Sequence, residues 1–266
     1  MRPLGLHQIT AMEAGPVGLV EIAAETGCSH VCIFTQIPEG LTGFPLIDAS
    51  NKRAFMDACR ATGVKVANVE FFSLIPGIGL DSYEGGMALG AEIGGERIVT
   101  HMFETEDAVA VDRLGQLCDM AARHGLKVGL EFMGLSPGCD SIQRAVWLFE
   151  QVARPNLGIA VDALHLTRTG GTPADVAAVP AHYFAYSQIC DGKGLHRSSD
   201  YMTEALDRMM PGTGDFPLAA LLDALPATTF LDVEVPKADL GTPALARARE
   251  AVDRTRALAA KAHPAR

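Results

Sequence analysis

The chain has 266 residues, of which 48% are hydrophobic and 20% charged, so one sizeable core is available and a disordered composition is excluded. Its formal net charge is −10, and no basic stripe breaks that balance. This argues against a nucleic-acid partner but still allows a small anionic substrate held by a few local cations.

The six cysteines are Cys28, Cys32, Cys59, Cys118, Cys139 and Cys190. They form no CxxC pair and read as buried thiols of a cytoplasmic protein. The opening MRPLGLHQIT lacks the apolar run of a signal peptide. No segment approaches the ~20 continuous apolar residues of a membrane helix, so no membrane partner is expected.

In chain order, a short apolar run, a polar loop and an amphipathic helix recur. Strands are expected at 4–7, 30–34, 64–70, 96–101, 127–132, 157–162, 183–189 and 229–235. Helices are expected from Pro16 to Gly27 and over about 48–61, 81–93, 106–124, 141–151, 216–224 and 243–260, with another opening near Pro173. The strands are apolar on both faces, as parallel strands buried between helices and a core must be. Eight strand–helix units without a linker predict an α/β fold, a (β/α)8 TIM barrel occupying 1–266 as one domain.

Acids interrupt these apolar strands at matching depths. The period of two places Gly129 with Glu131, Ala160 with Asp162, Phe184 and Tyr186 with Gln188, and Asp232 with Glu234. The aliphatics opposite should meet the outer helices, which turns Glu131, Asp162, Gln188 and Glu234 toward the C-terminal mouth of the barrel. Unpaired buried carboxylates repel one another and are costly to desolvate. A hard divalent cation resolves both problems, and oxygen ligands favour Mn2+ or Mg2+, with Co2+ also compatible.

Further polar residues reach the same rim. His165, three residues after Asp162, is placed to orient substrate or move a proton. Glu70, His7 and His101 end three other strands and are candidates to meet substrate hydroxyls. Arg208, just before the turn PGTGD, is a candidate clamp for a substrate carboxylate or phosphate, and His196 and Arg197 compete for that role. Asp191 orients a ligand or caps its loop. Asp232 lies one layer below Glu234 and needs a partner, for which Lys127 is the candidate on sequence. The loop TQIPEGLTGFPL carries Leu41, Phe44 and Leu46, read as exposed and suited to a lid or to a contact in a homo-oligomer. Neither a nucleophile elbow nor an HExxH motif occurs.

Several segments carry a resemblance: GLEFMG around Glu131, VDALHL around Asp162 and His165, YSQICDG around Gln188, RMMPGTGDF around Arg208 and DVEVP around Glu234. In this order they resemble the xylose-isomerase-like TIM barrel superfamily of sugar isomerases, epimerases and endonuclease IV, with some likeness to dehydroshikimate dehydratases. The resemblance implies metal ligands at Glu131, Asp162, Gln188 and Glu234, where Gln188 stands in place of the commoner His. It further implies a metal-dependent isomerase or epimerase acting on a small sugar or hydroxy-carbonyl compound through an enediolate, with Glu131, Glu234 and His165 as the catalytic groups. The alternative is a dehydratase of a cyclic hydroxy-keto acid.

Overall fold

The structure is a computed structural model and describes residues 2–37 and 42–262; Leu41 lies outside the described residues. Each of the eight apolar segments forms a strand: β1 (Leu4–His7), β2 (His30–Phe34), β3 (Lys65–Glu70), β4 (Gly95–Thr100), β5 (Lys127–Glu131), β6 (Leu157–Asp162), β7 (Phe184–Ile189) and β8 (Leu231–Val233). All neighbouring strands pair in parallel, and β8 pairs with β1, so the sheet closes in chain order.

Parallel neighbours require crossovers, and these wrap helices around the sheet. They are α1 (Gly15–Glu25), α2 (Lys52–Thr62), α3 (Glu84–Glu92), α4 (Asp107–Arg123), α5 (Ile142–Val152), α6 (Ala163–Arg168), α7 (Pro173–Ala177), α8 (Tyr201–Leu206), α9 (Leu218–Ala224) and α10 (Ala244–Lys261). This is the expected (β/α)8 architecture. Helix α2 starts later than its apolar pattern suggests, because Asp48 Oδ1 accepts the Ser50 N–H at 2.8 Å and holds the preceding residues in a turn. The helix near 81–93 opens as a 3-10 turn over Leu80–Tyr83 before α3 begins. Helices α6 and α8 were not expected. α6 follows β6 without a loop, capped by Asp162, and α8 lies in what reads as a long loop.

Two cores form. The larger lies between strands and helices and takes Leu130, Ile159, Val161, Leu231 and Val233, the aliphatics expected to face outward. The smaller fills the barrel axis with Val99, Ala160 and Tyr186, against which Ala185 and Phe230 pack. Tyr186 is accommodated by a missing side chain opposite: a Cβ on Gly129 would stand 2.8 Å from its ring. Phe184 departs from the expected alternation. It packs on the outer core while Ala185 meets the inner one, because the pairing of β6 with β7 shifts register between Ile159 and Ala160.

Two further expectations are corrected. Lys127 is exposed and cannot partner Asp232; it enters β5 four residues before Glu131, about 13 Å lower at ~3.3 Å per residue. Phe44 and Leu46 are half-buried rather than exposed. Phe44 lies edge-on to Phe34 and Phe71 at 5.1 and 5.8 Å, so this loop turns its aromatic side inward over β2 and β3.

Candidate metal centre at the barrel mouth

The upper end of each strand delivers one side chain to a common layer. His7, Phe34, Glu70, His101, Glu131, Asp162, Gln188 and Glu234 are all buried there. The register explains the last four: Glu131 pairs with Ala160, Asp162 with Gln188 and Gln188 with Asp232, which lifts Glu234 just above β8.

Glu131 is held by two imidazoles. Its Oε1 lies 3.2 Å from His165 Nε2 and its Oε2 lies 3.5 Å from His101 Nε2. Burial favours the neutral acid, but the hydrogen bonds and charge from His101 and His165 outweigh it and hold the carboxyl well below its ordinary range. Behind His101, Ser73 Oγ sits 3.1 Å from Nδ1. Behind His165, the Tyr201 hydroxyl sits 2.8 Å from Nδ1.

Asp162 divides its oxygens between two tasks. Oδ1 caps α6 by accepting the N–H groups of Leu164 and His165 at 2.7 and 2.9 Å. Oδ2 receives Arg208 NH1 at 2.6 Å. The other arm of the same guanidinium reaches Glu234 Oε1 at 2.9 Å. Arg208 is buried between these carboxylates, its Nε donates to the Ala205 carbonyl, and the Lys237 ammonium meets its own carbonyl at 3.0 Å. Glu234 is pushed well above its ordinary value chiefly by burial, against the pull of Arg208 and His7.

On the opposite side, His7 Nε2 lies 2.9 Å from Glu70 Oε1. Burial works against the imidazolium, but Glu70, Glu234 and Asp232 outweigh it and raise His7 to about 10. One layer down, both oxygens of Asp232 lack a hydrogen-bond partner among the described residues, and burial raises this acid to about 6. Asp191 is not turned into the mouth. Its carboxylate accepts four backbone N–H groups, from Gly192, Gly212, Gly214 and Phe216, and so shapes the PGTGD turn.

Whether these residues suit a metal can be judged from the donors themselves. Glu131, Asp162 and His165 each offer one ligand atom, all within 4.8 Å of one another. Gln188 Oε1 and Glu234 Oε2 are buried without a hydrogen-bond partner among the described residues. Buried oxygens left unpaired in this way are costly, and a hard cation satisfies them. The donor set therefore fits a divalent ion, and the structure adds His165 to the neighbourhood of the four oxygens expected from sequence.

His196 and Arg197 are not brought to this cluster; both are exposed, and Arg197 lies against Gly170 at the far end of α6. Three contributors escaped sequence reasoning: Tyr201, Ser73 and Arg168. Tyr201 and Glu204 lie on α8, a helix of six residues whose sequence is too short to show a helical period. Arg168 is buried, pairs with Glu204 and donates to the carbonyls of Lys193, Gly194 and His196, which ties down the segment carrying α8.

Among the described residues no helix is long and apolar enough to cross a membrane. Comparison with known proteins places this mouth in context. The chain is 29% identical over 126 residues to a 3-dehydroshikimate dehydratase of Pseudomonas aeruginosa, covering 47% of this chain and 20% of that protein. It is 27% identical over 164 residues to an inosose isomerase of Bacillus subtilis, covering 58% of each. The matches thus span between a fifth and just over half of these curated relatives. A solved structure described as IOLI protein with a binding zinc atom shares the fold, with a TM-score of 0.81 at 20% identity over 97% of this chain and 98% of that one. The sequence model of the xylose isomerase-like TIM barrel matches residues 20–258, and the chain belongs to that family.

Proposed function

We propose that this chain is a divalent-metal-dependent enzyme that isomerises or epimerises a small uncharged hydroxy-carbonyl compound, a sugar or a cyclic polyol ketone. The proposed ligands are Glu131, Asp162, Gln188 and Glu234, whose hard oxygen donors favour Mn2+ or Mg2+. A divalent ion there supplies Lewis-acid polarisation of a substrate carbonyl, which acidifies the neighbouring C–H.

The chain's own groups supply the remainder. Glu131 from β5 and Glu234 from the end of β8 enter the mouth from different strands, so one takes a proton from carbon and the other returns one. His165 lies beside Glu131 and orients a substrate oxygen. His7, Glu70 and His101 offer hydrogen bonds to further hydroxyls. Phe34, Phe44 and Phe71 form an aromatic wall against which the C–H face of a ring can pack.

The observation that carries the choice of an uncharged substrate is the commitment of Arg208. Its guanidinium is paired with Asp162 and Glu234, and neighbouring Lys237 is paired with Asp207. Neither is left to clamp a substrate carboxylate. The dehydratase reading is kept by the 29% identity to a 3-dehydroshikimate dehydratase.

Incubation in D2O with Mn2+ separates the two readings. Deuterium appearing on the carbon next to the carbonyl of a cyclic polyol ketone, without loss of water, is the expected result. Dehydration of 3-dehydroshikimate to an aromatic acid, with no exchange into neutral ketoses, would overturn it.

A further inference from the structure

Tyr201 has no role in the proposed reaction, yet its hydroxyl touches a group that does. It lies on α8, and three contacts define its setting. The phenol ring stacks on the His165 imidazole at 5.6 Å between centroids and 11° between planes. The phenol oxygen accepts the Gly134 N–H at 2.9 Å. The same oxygen lies 2.8 Å from His165 Nδ1. A Cβ on Gly134 would come within 2.5 Å of the Tyr201 ring, so the close approach requires glycine there. From the other side, the Glu204–Arg168 pair fastens α8 to the loop over 193–196.

This arrangement determines which way the protons run. The hydroxyl oxygen already accepts the Gly134 N–H, and its single O–H is best used as a donor. Nδ1 is the acceptor in reach. A neutral imidazole that accepts at Nδ1 carries its proton on Nε2. Nε2 in turn lies 3.2 Å from Glu131 Oε1, and a carboxylate oxygen is an acceptor. The Tyr201 end of the ring therefore selects this tautomer, and the Glu131 contact is compatible with it.

We infer that Tyr201 is a positioning residue that locks His165 in its Nε2–H tautomer, which makes the ring nitrogen facing the mouth a hydrogen-bond donor rather than a metal ligand. The inference rests on the proposed reaction only for its kinetic consequence. His165 then gives a hydrogen bond to a substrate oxygen, and the metal is left to Glu131, Asp162, Gln188 and Glu234. With that tautomer, the proximity of Glu131, Asp162 and His165 is that of an Nε2–H facing a carboxylate rather than that of three ligands to one ion.

The test is long-range 1H–15N NMR on the full chain labelled at histidine, with His165 assigned by His165→Gln. Spectra are taken after EDTA treatment and again with saturating Mg2+. The expected result is a proton on His165 Nε2 in both, and a mixture of tautomers in Tyr201→Phe, which keeps the stacked ring and the thermal midpoint. In turnover, Tyr201→Phe should lower kcat by about 10- to 100-fold with KM within about twofold, as loss of an orienting partner does. A proton on Nδ1 in the wild type, loss of the Nε2 proton on adding Mg2+, or an unchanged tautomer in Tyr201→Phe would each overturn the inference. The tautomer is read without any substrate, so failure to find turnover would count against the proposed reaction and not against this positioning role.

Discussion

Glu131 is the residue on which most of the mouth converges, since two histidines lie against its two oxygens. Replacing it with Gln keeps its shape but removes the charge, so kcat/KM should fall by about 10^2- to 10^4-fold, with little change in the thermal midpoint of the EDTA-treated protein. Steady-state kinetics beside a melting curve checks both halves. His7 gives a pH signature. Its folded-state pKa is raised to about 10, above the ordinary histidine value, so the fold binds this proton more tightly than the unfolded chain does. The associated stability is fully present below about pH 6.5 and is lost as pH rises toward 10. Urea unfolding in EDTA between pH 6 and 10 should show this loss, and His7→Gln should flatten it. At this scale the acids were legible because Glu131, Asp162 and Glu234 break apolar strands. Arg208 was legible as a site residue but not in its pairing. A guanidinium can meet a substrate or a neighbouring carboxylate, and only the placement of Asp162 and Glu234 around it decides.

The turn from Pro211 to Phe216 and the short helices α6 and α8 carry the site's connecting parts. Asp191 holds that turn through four backbone N–H groups, and a Cβ on Gly214 would stand 2.2 Å from its Oδ1. Asp191→Ala should therefore destabilise the fold by about 2–4 kcal/mol, since four backbone donors lose the buried carboxylate that gathers them. Because Arg208 precedes this turn, KM should rise as well; denaturant melts and kinetics on the same sample test the pair of effects. The strands were legible to within a residue or two, since a run of apolar residues bounded by loops has one period to obey. Helices α6 and α8 were not. ALHLTR is almost wholly buried and shows no polar face, and YMTEAL is too short to display a period.

For the whole molecule, burial of four strand-end carboxylates and Gln188 in one barrel makes cation binding part of its stability. A ligand that binds only the folded chain adds about 2.7 kcal/mol at 100 times its Kd, which for a chain of this size is a rise of roughly 5–10 °C in the melting midpoint. Saturating Mn2+ should produce such a rise in the wild type and little of it in Glu131→Gln, as differential scanning fluorimetry after EDTA treatment would show. No rise in either protein would count against a resident metal at this mouth.

The amino-acid sequence by itself determined the number of strands, their parallel character and the face on which the acids lie, while their order around the closed sheet came from the structure. These follow from local periodicity and from the need to bury apolar surface on both sides of a sheet. What only the tertiary structure decided is how the polar groups are shared. Arg208 spends its charge on Asp162 and Glu234, Asp191 spends its oxygens on a turn, and Tyr201 reaches His165 from a helix 36 residues further along the chain. Such choices join residues far apart in sequence, and hydrogen-bonding groups are selective only once their distances are set.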